Sequence, residues 1–251
     1  MPLFVQPPTI RPGKYGLITA ADTVAPEDSS HFREGVQWPA LPAGDAVVEA
    51  TLELADPSTA RTFGDWTEYP KAEPIVLEAR LRVKAPAHTD EELRAYVRQL
   101  LLAGESAKLE SLVWAGGSPA LTAGAVDLGS VPSIAEAVGA LEGHAWRRYP
   151  GSGVIHAPRE LGAIAAQARV VEKQGGQCIT PLESRWSFGA YPEAAKLCIT
   201  GPLALRMSEV EVFPVDRGSG AFNTVTNDLT YIAQRTYVLA HDAVPAVVTI
   251  T

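Results

Sequence analysis

The chain has 251 residues, with 46% hydrophobic and 20% charged residues and a formal net charge of −8. That length and composition suit one large or two small globular domains with a sizeable core. The acidic balance argues against a dedicated nucleic-acid binder, because the longest basic run is Arg147-Arg148 and phosphate neutralisation needs clustered cations.

No apolar run approaches the length of a membrane helix, so no spanning segment is expected. The opening Met1-Pro2-Leu3-Phe4-Val5-Gln6-Pro7-Pro8 lacks a basic region followed by an apolar one, and it is not read as a secretory signal. Residues 1–45 are rich in proline and glycine and cannot build a core alone. They also carry Phe4, Ile10, Tyr15, Leu17, Phe32 and Trp38, which a free tail would not use. The expectation is an extended arm docked on neighbouring subunits.

Two alternating stretches follow. Val48, Ala50, Leu52 and Leu54 alternate with Glu49, Thr51 and Glu53. Ile75, Leu77, Ala79, Leu81 and Val83 alternate with Glu78, Arg80, Arg82 and Lys84. Period-two patterns predict half-buried strands. Antiparallel pairing would set Glu49 and Glu53 against Arg80 and Arg82, so a long hairpin is expected. Such a ribbon is marginal alone and needs a cover. Its link, about 56–74, holds Phe63, Trp66, Tyr69 and Lys71, which suits a contact surface better than disorder.

Thr89-Asp90-Glu91-Glu92 is a capping box that opens a helix ended by Gly116-Gly117, long against an average of about 11–12 residues. Its apolar pattern includes Leu93, Tyr96, Val97, Leu100, Leu101, Ala107, Leu109, Leu112 and Val113. Residues 119–129 read as a loop. Ser133-Ile134-Ala135-Glu136 opens a second helix running to about Trp146, and Gly153–Ala157 is a short strand. A third helix follows Pro158-Arg159-Glu160 and runs to about Lys173. Strands are then expected at 177–180, 186–188, 196–201, 209–214, 230–240 and 246–251, giving an α+β class.

No catalytic constellation stands out. Gly-x-Ser-x-Gly, His-Glu-x-x-His, Walker and dinucleotide patterns are absent, and no cofactor or metal site is expected. His156, near a strand end, is the one residue around which a small soluble hydrolase could be argued, and a hydrogen-bonded structural role is the simpler reading. Cys178 and Cys198 fit no zinc spacing and read as reduced thiols, with a disulfide as the lesser alternative.

The order of arm, hairpin, long helix, helix–strand–helix region and closing strands resembles the Hong Kong 97-type major capsid protein of tailed phages. Local runs carry the resemblance. Leu101–Gly116 looks like the spine-helix end of actinobacterial phage capsids, and Gly153–Arg159 like their strand-His-Pro-helix segment. Thr180–Tyr191 is similar to the Thr-x-Leu-Gly…Gly-x-Tyr hairpin, with Glu183 where that pattern has glycine, and Ala233–Ala240 resembles the closing strand. The resemblance implies an N-arm (1–45), an E-loop hairpin (46–87), a spine helix of the P-domain (88–118), an A-domain (119–204) and returning P-domain strands (205–251).

It further implies pentamers and hexamers of an icosahedral head enclosing double-stranded DNA without sequence-specific binding. The expected location is the virion capsid, assembled in the host cytoplasm, with a separate scaffold, portal or decoration protein as possible partners. Intersubunit contact candidates are Phe4, Trp38, Glu49, Glu53, Phe63, Trp66, Tyr69, Lys71, Arg80 and Arg82. Some members of that family join an E-loop lysine to an asparagine of a neighbour. Here that would mean Lys71 with Asn223 or Asn227, and a solvated Lys71 is the expected reading. An encapsulin-like compartment and a vertex-only paralogue share the implied fold.

Overall fold

In the computed structural model, the residues described are 13–24, 31–39, 69–84, 89–148, 151–214, 222–223, 228–242 and 245–251. The chain opens with a four-residue helix (Leu17–Ala20), β1 (Asp22–Val24), a 3-10 turn (His31–Glu34) and β2 (Val36–Gln37). Next come β3 (Lys71–Ala72), β4 (Ile75–Lys84), the long helix (Asp90–Ala115) and β5 (Val126–Val131). The second helix (Ile134–Arg148), β6 (Val154–Pro158) and the third helix (Leu161–Gln167) follow. Strands then run almost unbroken: β7 (Glu172–Gln174), β8 (Gln177–Ile179), β9 (Arg185–Gly189), β10 (Lys196–Thr200) and β11 (Leu203–Met207). The last are β12 (Glu211–Pro214), β13 (Phe222–Asn223), β14 (Asp228–His241) and β15 (Ala246–Ile250).

β14 organises the first sheet. One side of it pairs with β11, β12 and β13, and β1 adds in parallel to β11. The other side pairs antiparallel with all of β4, from Lys84↔Asp228 to Ile75↔Tyr237. The partner of β4 among the described residues is β14, far along the chain, and the stretch at 48–54 lies outside those residues. The alternation predicted the buried face correctly. Leu77 and its partly buried neighbours Ile75, Ala79, Leu81 and Val83 join the core shared with the long helix. The cover therefore comes from the same chain.

The long helix begins with the predicted capping box: Thr89 Oγ1 accepts from the Glu92 backbone, and Glu92 reaches back to the Thr89 amide. Leu93, Val97, Leu101, Leu109, Val113 and Trp114 face inward onto Tyr231, Ala233, Tyr237 and Leu239. Each fully buried leucine there contributes about 1.5–3 kcal/mol. Tyr96, Leu100 and Leu112, part of the same periodic pattern, are exposed.

The second sheet runs β5-β15-β10-β6-β9-β8-β7. Its core joins Ile134, Val138 and Leu141 of the second helix and Leu161 and Ala165 of the third to Ile155, Trp186, Phe188, Leu197, Ile199 and Val248. Trp186 and Phe188, two apart on β9, stack at 4.8 Å. Three expectations change here. Residues 126–131 form a strand rather than part of a loop, with Gly129 at φ +85°. The third helix stops at Gln167, because Arg169 takes a left-handed conformation (φ 59°) and the Val170 amide turns back to the Ala165 carbonyl, a C-terminal capping geometry. The strand Leu203–Met207 was not anticipated.

The turn at 180–184 keeps its hairpin form despite Glu183. Thr180 N donates to the Ser184 carbonyl, Glu183 N donates to the Thr180 carbonyl, and Glu183 sits at φ 68°. A left-handed L-residue costs about 1–2 kcal/mol, and glycine returns about 0.5–1 of that in chain entropy. Glu183→Gly should therefore raise unfolding free energy by about 0.5–1 kcal/mol in urea denaturation, and Glu183→Val should lower it. A destabilised glycine variant would contradict this turn geometry.

Candidate functional site

Of the ten contact candidates, Phe4, Glu49, Glu53, Phe63 and Trp66 lie outside the described residues. The other five fall in two places. Trp38, Tyr69 and Lys71 sit at the β2–β3 ladder, where Gln37 pairs with Lys71 and the Trp38 amide donates to the Pro70 carbonyl. Trp38 packs against a small cluster of Phe32, Ala72, Val238 and Ala240, while Tyr69 and Lys71 are exposed. Lys71 is thus held in the β2–β3 ladder, just before β4. The ten residues of β4 separate Lys71 from the Asn223 end of the sheet, about 30 Å of strand. The two positions cannot meet within one chain, and Asn227 lies outside the described residues.

Arg80 and Arg82 project from the outer face of β4, beside Val76, Glu78 and Lys84. Arg80 pairs with Glu78, and Arg82 and Lys84 both pair with the buried Asp228. The Arg80–Glu78 pair, at the surface, adds at most about 1 kcal/mol. Among the described residues this face carries apolar groups too, with Val76 and Phe213 exposed. Elsewhere Tyr96, Leu100 and Leu102 on the long helix, Trp146 (71% exposed) and Leu182 (74%) face solvent. Trp146 lies one helical turn beyond Glu142, which accepts a hydrogen bond from Thr180 at the base of the Leu182 turn. That is a large share of apolar surface left without a partner in the single chain.

The interior holds a feature that the composition did not flag. Glu110, buried on the long helix, accepts from the Leu17 amide at 3.0 Å, the Ala190 amide at 2.8 Å and Ser106 Oγ at 3.1 Å. One carboxylate thereby ties the N-terminal segment, the long helix and the loop after β9. Two glycines make room for it. A Cβ on Gly189 would stand 2.7 Å from the Glu110 carboxyl carbon, and one on Gly16 would collide with Oε1. The same segment is held by Phe188 N donating to the Tyr15 carbonyl, by Arg159 on the Lys14 carbonyl and by Arg185 paired with Asp22. One turn earlier, Glu105 accepts from the Tyr237 hydroxyl and from Arg235 Nη1. Burial and this carboxylate push the Tyr237 phenol above its ordinary range. The signal in the sequence was an acid centred in an apolar stripe, with Leu101 and Leu109 four residues to either side of Glu105.

His156 is fully buried in the middle of the second sheet, between β10 and β9. Its Nδ1 lies 3.0 Å from Tyr191 Oη and its Nε2 3.1 Å from Thr200 Oγ1. Burial, with the nearby His241 adding, holds the imidazole down at about 3. Both nitrogens are occupied and no substrate reaches them, so this residue is a structural histidine. Cys178 and Cys198 are free and buried, on strands that are not neighbours, and no disulfide joins them. Among the described residues no group of three or more histidine, cysteine, aspartate or glutamate side chains is placed to hold a metal.

No family model and no curated protein matches the chain. Solved structures do. A chain from Microbacterium phage Oxtober96 is 14% identical, with 100% of this chain and 96% of that one covered at a TM-score of 0.63. A chain described as "Capsid of native GTA particle computed with C5 symmetry" is 11% identical, with coverage of 98% and 95% at 0.55. A virus-like particle from Pyrococcus furiosus is 10% identical, with coverage of 94% and 92% at 0.53. The chain has the fold of these proteins over nearly its whole length, and the Hong Kong 97-type fold expected from the sequence is the one observed.

Removing the Glu110 carboxylate takes the acceptor from the Leu17 and Ala190 amides. Each such buried donor costs about 1–3 kcal/mol. Glu110→Ala should lower unfolding free energy by about 3 kcal/mol or more in urea. Glu110→Gln, with one carbonyl oxygen for two amides on opposite sides, should fall between. A glutamine variant as stable as the parent would contradict the assignment.

Proposed function

We propose that this chain is a structural shell subunit that assembles into pentamers and hexamers of an icosahedral phage head around double-stranded DNA. The observation that carries this reading is the fold shared end to end with a chain of a capsid and with a virus-like particle. The surface supports it independently. Tyr69, Val76, Tyr96, Leu100, Trp146 and Leu182 are large apolar groups exposed on several separate faces, as a subunit with several neighbours requires.

In this reading residues 1–45 are the arm, the hairpin at 46–87 lies over a neighbour, and residues 119–204 meet at the capsomer centre. Many modest contacts then close the shell through their number. The acidic balance of −8 fits a wall that encloses DNA without gripping it. A separate scaffold, portal or decoration protein completes the particle, the head forms in the host cytoplasm, and the role is structural rather than enzymatic. A second reading, an encapsulin-like compartment that encloses protein cargo, fits the same fold.

Negative-stain microscopy with light scattering of the purified protein tests the proposal. Closed particles or megadalton rings and sheets are the expected result, and their contents separate the two readings: nucleic acid for a phage head, protein for a compartment. A stable monomer or dimer, even with a crowding agent and a candidate scaffold present, would overturn both. Phe63→Ala combined with Trp66→Ala should lower particle yield at least tenfold while leaving circular dichroism and the melting temperature of the free subunit unchanged.

A further inference from the structure

The two sheets meet along a polar seam inside an otherwise apolar core. Thr200 Oγ1 donates to the Gly201 carbonyl at 3.0 Å, so it accepts from His156 Nε2–H. His156 Nδ1 then accepts from the Tyr191 hydroxyl, and Tyr191 Oη accepts from Ser187 Oγ at 2.6 Å. This single direction satisfies all four side chains and requires a neutral imidazole. Beside it His241, the last residue of β14, is buried, and its ring nitrogens make no hydrogen bond of good geometry, with the Ala120 carbonyl as their weak partner. The seam joins the end of the first sheet to the centre of the second, and Gly201 N donates to the Asp242 carbonyl at the same place.

We propose that the His156–His241 pair makes this seam an acid-triggered hinge, which parts the two sheets locally when either ring takes up a proton. A proton on His156 Nδ1 forces the Tyr191 hydroxyl to turn toward Ser187 and leaves the Ser187 hydroxyl without its acceptor. It also places a cation in a sealed site next to a second histidine. The groups facing the pair are Ser187 on β9, Tyr191 after it, Cys198 and Thr200 on β10, and the Ala120 carbonyl from the loop after the long helix. The nearest charges are Asp242, next to His241, and Glu110, beyond Tyr191. Asp242 and the Ala120 carbonyl favour a charged His241, but burial outweighs them and lowers it. Among the described residues no carboxylate contacts His156.

The sign follows from the shift. In an opened seam the imidazole titrates near its ordinary value of 6.5, while in the closed seam His156 resists protonation to about 3. The closed state is favoured in full above pH 6.5, and its advantage is lost as pH falls through the window from 6.5 toward 3. The open population rises about tenfold per pH unit in that window for His156, and the lowered His241 acts in the same direction.

Hydrogen exchange with mass spectrometry on the full chain at pH 7.5, 6, 5 and 4, corrected for intrinsic pH dependence, tests this. Peptides covering 153–158, 186–200 and 236–242 should lose protection about tenfold per unit below pH 6, while the second helix and β4 keep theirs. His156→Gln and His241→Phe should each move the onset down by a pH unit or more. Should His156→Gln fail to fold, His241→Phe and the regional pattern in the parent decide the matter. A uniform loss across the chain, or an onset that His241→Phe leaves in place, would overturn the hinge.

Discussion

The arrangement of this subunit depends on one buried carboxylate. Glu110 sits on the face of the long helix where three parts of the chain converge, and its two oxygens take amides from opposite sides, Leu17 and Ala190. Burying a carboxylate is costly unless each lone pair is used, and here the amides and Ser106 use them. The arrangement demands bare backbone at Gly16 and Gly189. It explains why residues 13–24, too short a piece to fold alone, take a defined path across both sheets.

With that anchor made, the chain divides its labour. The long helix and β14 form a rigid spine, and Glu105, Arg235 and Tyr237 lock the two together. The histidine seam joins the spine to the second sheet. What stays unsatisfied lies outside: the outer face of β4, the exposed side of the long helix and the Trp146 and Leu182 region. In the proposed shell each of these surfaces would be completed by another copy.

Much of this was legible in the sequence, and the failures have physical causes. Capping boxes are local, so Thr89–Glu92 and Ser133–Glu136 read directly, and Glu136 N does donate to Ser133 Oγ. Alternation in β4 names the buried face but not the partner strand, and β14 lies some 150 residues away in pairs such as Arg82↔Thr230. Local charge complementarity pointed to Glu49 and Glu53, which lie outside the described residues. The segment Val126–Val131 has no alternation and a left-handed Gly129, so it carries no strand signal. Periodicity on the long helix merged two surfaces, one covered by its own chain and one not, which is why Tyr96 and Leu100 read as core. The resemblance in motif order supplied the architecture that pairwise reasoning could not reach. Glu110 was missed because its partners are backbone amides, which no side-chain pattern reports.

The central claim is that surfaces open on the single subunit are completed by other copies in the assembled wall. Hydroxyl-radical labelling with mass spectrometry, comparing dissociated subunits with intact particles, measures this directly. Tyr69, Tyr96, Trp146 and Leu182 should label readily in the free subunit, and most of them should be protected several-fold in the particle. The buried Trp114 and Tyr237 should stay dark in both. Equal labelling of the exposed set in both states would contradict the account.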